Sequence, residues 1–69
     1  MSKKIKIDTE FITLGQLLKD AGIISTGGQA KWYLRENSVS LNGEAENRRG
    51  KKLRTGDVVV VDDQSFEIE

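Results

Sequence analysis

The stretch that decides the fold is STGGQAKWYLRENSVSLNGE, residues 25–44. It reads as a turn, a short helix, a stop, a strand and a tight turn. Ser25 and Thr26 offer N-cap oxygens, and Gly27-Gly28 lets the backbone bend before helical residues begin. Ala30, Tyr33 and Leu34 fall at i, i+3 and i+4, one apolar face of a helix. Asn37 stands where that helix must stop, and Asn tolerates a left-handed cap. Val39 and Leu41 alternate with Ser38, Ser40 and Asn42, a half-buried strand, and Asn42-Gly43 is a hairpin dipeptide.

The same helix has a second face. At about 100° per residue from Ala30, Lys31 and Arg35 lie near ~100° and ~140°, and Trp32 near ~200°. Two readings of that face stay open. One is a solvated flank with the indole lapping over the rim of the core. The other is a polyanion-facing surface with a stacking side chain.

Upstream, Thr13 is an N-cap for a first helix whose stripe is Leu14, Leu17, Leu18 and Ala21, and Gly22 ends it. Ile23-Ile24 links the helices, and a connection of about four residues predicts a compact corner. Earlier still, Lys3–Asp8 alternates with Ile5 and Ile7 inward, and its outward Lys residues suit an edge strand. Glu10 and Phe11 turn the chain, with Phe11 or Ile12 entering the core. Downstream, Glu44–Arg54 holds only Ala45 and Leu53 as apolar residues and reads as a loop with at most one short pairing segment. Val58–Val61, an unbroken β-branched run, reads as a strand buried on both faces. Asp62–Ser65 turns the chain, and Phe66–Glu69 alternates as a last strand. The expected order is β, α, α, β, basic loop, β, β. This is one α+β domain over residues 1–69, two short helices packed on a small twisted, mostly antiparallel sheet.

With 69 residues, the chain buries only about 60% of the surface its unfolded form exposes. It has no Cys and no His, which removes disulfides, thiolate chemistry, the usual zinc ligands and imidazole catalysis. No apolar run approaches the roughly 20 residues that span a bilayer, and MSKKIKID lacks the apolar core of a signal peptide. A soluble cytoplasmic domain is expected. The net charge of zero hides an asymmetry. Thr26–Gly56 carries seven basic and three acidic residues, whereas Asp57–Glu69 carries five acidic and no basic ones. Four of the six positions from Arg49 to Arg54 are basic, dense for a loop without a partner.

TLGQLLKDAG, STGGQAKWYLREN, VSLNGE and RRGKKLRTGDVVVV, in that order, are similar to the RNA-binding domain named after small-subunit ribosomal protein S-four, the alpha-L motif. The resemblance is strongest over residues 12–61. It is closest to the small stand-alone bacterial members of the YaaA and YbcJ type. It implies that the two helices and the following hairpin form an L-shaped surface for structured RNA, ribosomal RNA or a ribosome-assembly intermediate. Thr26, Gly27 and Gly28 match the helix-opening turn, Lys31 and Arg35 the basic helix face, and Asn42-Gly43 the hairpin tip. Arg48, Arg49, Lys51, Lys52 and Arg54 match the basic loop. Larger members often open the first helix with Arg-Leu-Asp and carry Arg before the second. Here Thr13, Leu14 and Gly15 stand at the first set and Gly27 at the second, so two of their RNA contacts have no counterpart.

The residues agree with that implication. Seven basic side chains, at 31, 35, 48, 49, 51, 52 and 54, suit phosphates, and Trp32 joins them as a stacking candidate. A-form RNA is read mainly through shape and backbone, so strong sequence specificity is not expected. Asp62-Asp63 reads as turn chemistry rather than a catalytic carboxylate pair, and the expectation is a non-enzyme without metal or cofactor, acting as a monomer. Two other classes remain. One is an interaction module for DNA or an acidic protein partner. The other is a β-grasp sulfur carrier, suggested by LNGE and LRTGDVVVV but lacking a Gly-Gly tail.

Overall fold

The computed structural model describes residues 2–69. In chain order it has β1 (Ser2–Ile5), β2 (Ile12–Thr13), α1 (Leu14–Asp20), α2 (Gln29–Glu36), β3 (Val39–Leu41), β4 (Glu44–Ala45), β5 (Lys52–Leu53), β6 (Val58–Val61) and β7 (Gln64–Ile68). A five-stranded sheet is ordered β1-β7-β6-β3-β4, antiparallel except where β1 runs parallel to β7. This is the expected α+β fold with a mixed, mostly antiparallel sheet. β1 is an edge strand, as its Lys pattern suggested, but it ends at Ile5 rather than running on to Asp8. The Glu69 N–H donates to the Ile5 carbonyl (2.8 Å) and joins the two ends of the described chain.

One apolar cluster binds helices to sheet. Leu14, Leu17 and Leu18 of α1, with Ala30 and Leu34 of α2, are buried against Val39, Val59, Val61, Phe66 and Ile68. These positions follow the helical and strand periods read from the sequence. Val58–Val61 departs from expectation. Val59 and Val61 are buried, but Val60 is 36% exposed. Val60 and its partners Ser40 and Ser65 lie on the face opposite the core cluster, where Val60 is exposed and the two serines are half-buried.

The caps explain the helix ends, and some differ from expectation. Thr13 Oγ1 accepts from the Gln16 N–H (3.2 Å), as read. Gly22, with φ +78°, closes α1: its N–H donates to Lys19 O and the Ile23 N–H to Leu18 O, the paired bonds of a glycine-terminated helix. At α2 the cap is inverted. Ser25 and Thr26 do not cap with their hydroxyls; their N–H groups donate to Gln29 Oε1 at 2.6 and 3.2 Å, and Gly28 is the N-cap. Asn37 is extended (φ −129°, ψ 145°), not left-handed. Its N–H and its side-chain Nδ2 both donate to Tyr33 O (2.9 and 3.1 Å), so the carbonyl is satisfied without a left-handed residue. The connection between α1 and α2 spans residues 21–28, longer than read, because the glycine cap and the Gln29 bracket each take residues.

Three short strands stand outside the expected order, β2, β4 and β5. β2 pairs antiparallel with β5, Ile12 opposite Leu53 and Thr13 opposite Lys52, and β4 closes the hairpin from β3. The region read as a loop with at most one pairing segment therefore has two. Tyr33 links α2 to the β6–β7 turn, its hydroxyl 3.5 Å from Asp62 Oδ2. Burial first, then the Asp62 charge and hydrogen bond, raise the Tyr33 hydroxyl pKa above its ordinary value.

Candidate nucleic-acid interface

The basic loop is held by its backbone. The Leu14 N–H donates to Lys51 O and the Gly15 N–H to Arg49 O, both at 2.9 Å. With Thr13 serving Gln16, three N–H groups of the first turn of α1, which the helix itself cannot pair, find acceptors. The loop's carbonyls thus cap α1, and the side chains of Arg49 and Lys51 project from a fixed main chain. Gly15 permits this approach. A Cβ there would lie 3.3 Å from Arg49 O and 3.4 Å from Ala30 Cβ.

The basic side chains differ in what they already touch. Arg48 is paired with Glu46: Nε to Oε2 at 2.9 Å, Nη2 to Oε1 at 3.3 Å. The Arg48 hydrogen bond is the main cause that lowers the Glu46 pKa below the ordinary carboxylate value, and the same contact raises that of Arg48. Lys52 Nζ lies 4.9 Å from the Phe11 ring centroid. Among the described residues, no ion pair engages Lys31, Arg35, Arg49, Lys51 or Arg54. Arg35 Cζ sits 5.6 Å from the Trp32 ring centroid, and Trp32 is 60% exposed. The indole is thus mostly exposed and lies against Arg35 on the face carrying Lys31.

Asn42 is engaged inside the fold. Its Oδ1 accepts from the Val58 N–H (2.9 Å) and its Nδ2 donates to Asp57 Oδ1 (3.1 Å). At the hairpin tip Asn42 and Gly43 both have positive φ, 52° and 88°, as the two-residue turn requires. Thr26, Gly27 and Gly28 are exposed at the opening of α2.

The structure brings these parts together around a shallow groove of ≈ 370 Å³. Thr13, Gly15, Gln16 and Lys19 of the first helix region line one side, Gly27 and Ala30 another, and Arg49 and Gly50 the third. Of the binding residues expected from the sequence, Gly27 and Arg49 line it, while Asn42, Arg48 and Lys51 line a second hollow beside the hairpin. Lys19, Gln16 and Gly50 are not among those expected residues. Gly50 belongs to the loop itself, and the proximity of Gln16 and Lys19 to it depends on loop docking and β2–β5 pairing, which leaves no periodic signal in strands of two residues. Among the described residues, no group of three or more His, Cys, Asp and Glu is placed to hold a metal ion.

The family model described as the S4 domain matches residues 5–69. The chain belongs to the S4 domain family. It is also 56% identical over 62 residues to the probable ribosome maturation protein RlbA of Bacillus subtilis (strain 168), an alignment covering 90% of this chain and 87% of that relative. The resemblance to S-four-type proteins is thereby established over residues 5–69, strands β6 and β7 included. No helix among the described residues is long and apolar enough to cross a membrane.

Proposed function

We propose that this S4 domain binds structured RNA without catalysing a reaction, and that its target is ribosomal RNA or a ribosome-assembly intermediate in the cytoplasm, met as a monomer. The observation that carries the reading is the docking of the basic loop on α1, which presents Arg49, in one groove with Lys19, and Lys51 from carbonyl-anchored backbone. A cation held in place loses less conformational entropy when it meets a phosphate, and Arg can bind one bidentately. The family and the ribosome maturation relative support the same partner. Lys31, Arg35 and Trp32 extend the surface along α2, and Thr26, Gly27 and Gly28 add exposed backbone at its start. Lys52 and Arg54 contribute charge from β5 and the residue after it. Arg48 takes part by exchanging Glu46 for a phosphate.

The test is filter binding of bacterial ribosomal RNA to the Arg49→Ala/Lys51→Ala double variant. The variant is expected to keep the wild-type denaturation midpoint and to lose roughly tenfold or more in affinity at moderate salt, with a shallower salt dependence. Unchanged affinity in the folded variant excludes the loop as the contact. Preferential retention of duplex DNA or an acidic protein would assign the surface to those partners instead.

A further inference from the structure

We propose that the hollow at the end of α2, between that helix and the β3–β4 hairpin, receives one unpaired base of the RNA, an adenine read through its exocyclic amino group. This rests on the RNA-binding reading above and adds to it a base-specific site. No residue lines both this hollow and the groove at the start of α1.

The two helices end differently. α1 is closed by its glycine turn, where the carbonyls of Leu17, Leu18 and Lys19 accept from the N–H groups of Ala21, Ile23 and Gly22. α2 is left open. Asn37 is extended, and its N–H and side-chain Nδ2 both serve Tyr33 O. Among the described residues, no backbone N–H returns to the carbonyls of Leu34, Arg35 or Glu36. Orphan carbonyls at a helix end call for donors from elsewhere, and a ligand is one source. These three residues border a hollow of ≈ 320 Å³, which Ser38 and Asn47 also line. The side chains of Ser38 and Asn47 are exposed and engaged in no hydrogen bond among the described residues.

The charge around the hollow selects against phosphate. The C-terminal end of a helix is its negative pole, and Glu36 stands there in no ion pair among the described residues. Glu46 also lines the hollow, but Arg48 pairs with its carboxylate at 2.9 Å, so a cationic ligand gains little from it. A neutral ring that carries donors fits better. Leu34, Val39 and Ala45 give apolar lining for its faces. Arg35 lines the hollow while its Cζ lies 5.6 Å from the Trp32 ring centroid, and a guanidinium plane is a surface on which an unstacked base can rest. The volume is at the low end for small-molecule pockets, which suits a single base. Adenine offers an amino group to the carbonyls, and its N6–N7 edge is the one an Asn side chain such as Asn47 matches bidentately.

The experiment uses four RNA hairpins of one sequence: fully paired, with a single bulged adenine, with a bulged uracil, and with a bulged purine that lacks the amino group. Wild type is expected to bind the adenine bulge about tenfold more tightly than the other three. Asn47→Ala should keep the wild-type denaturation midpoint, its affinity for the paired hairpin and its salt slope, and lose the preference for adenine. Equal wild-type affinity for the three bulged RNAs, or an adenine preference that survives in folded Asn47→Ala, overturns the base site while RNA binding itself stands. Wild type that binds none of the four overturns both readings. If Asn47→Ala lowers the denaturation midpoint, the wild-type Asn47 side-chain amide resonance decides. A shift with the adenine bulge but not with the paired hairpin supports the site, and no shift rejects it.

Discussion

Glu46 and Asn42 illustrate how single side chains divide between fold and function. Glu46 is less protonated in the folded than in the unfolded chain, because Arg48 lowers its pKa. Its contribution to stability is therefore fully present above its unfolded pKa of about 4.3 and is lost as pH falls through the lower folded value. Denaturant midpoints at pH 6 and pH 3 should fall further for wild type than for Glu46→Gln; equal losses would mean that the pair is inert. Asn42 serves the fold with both side-chain groups and with its positive φ. Asn42→Ala is expected to destabilise by about 1–2 kcal/mol in urea unfolding, from the lost hydrogen bonds and the left-handed alanine. A change below about 0.3 kcal/mol would contradict this, since ordinary surface substitutions stay within about 0.5. The Asn42-Gly43 turn was legible because turn chemistry is local. The bonds to Asp57 and Val58 were not, since those partners lie 15 and 16 residues away in sequence.

Among the elements, helices and hairpin were read correctly where hydrophobic period and turn residues agree, as at Leu14–Leu17–Leu18 and Val39–Leu41. Reading failed where a side chain or a neighbouring layer decided the outcome. Asn37 needed no left-handed backbone because its amide reaches Tyr33 O, and Val60 is exposed because it points to the face of β6 opposite the core formed by Val59 and Val61. The docking of the basic loop on α1 was invisible for a further reason: it uses backbone carbonyls, which every residue has. It makes a direct prediction. Gly15→Val puts a branched side chain where a Cβ alone would already stand 3.3 Å from Arg49 O, so the loop must shift. Amide exchange at Leu14 and Gly15 should accelerate and RNA affinity should fall about tenfold or more, while the Phe66 strand stays protected. Unchanged exchange at Gly15 would show that the loop is not locked in this way.

Across the whole molecule, the neutral total charge conceals a basic middle, with seven basic against three acidic residues over 26–56, and an acidic C-terminal portion that forms the turns and strands after Gly56. The fold class and this charge division were readable from the sequence. The groove was not, because Lys19 and Arg49 are far apart in sequence and come to one groove through β2–β5 pairing and the backbone bonds from the start of α1 to Arg49 and Lys51. The central claim is that the assembled surface recognises RNA through its phosphates. Trp32, the single tryptophan and 60% exposed beside Arg35, reports on it directly. The decisive measurement is a Trp32 fluorescence titration with structured ribosomal RNA fragments and matched duplex DNA over a salt series. RNA should bind more tightly than DNA, with log affinity falling against log salt at a slope near about −3, as about four neutralised phosphates give. Absence of RNA binding at low salt, by fluorescence and by a label-free check, or tighter binding to the DNA, would contradict it.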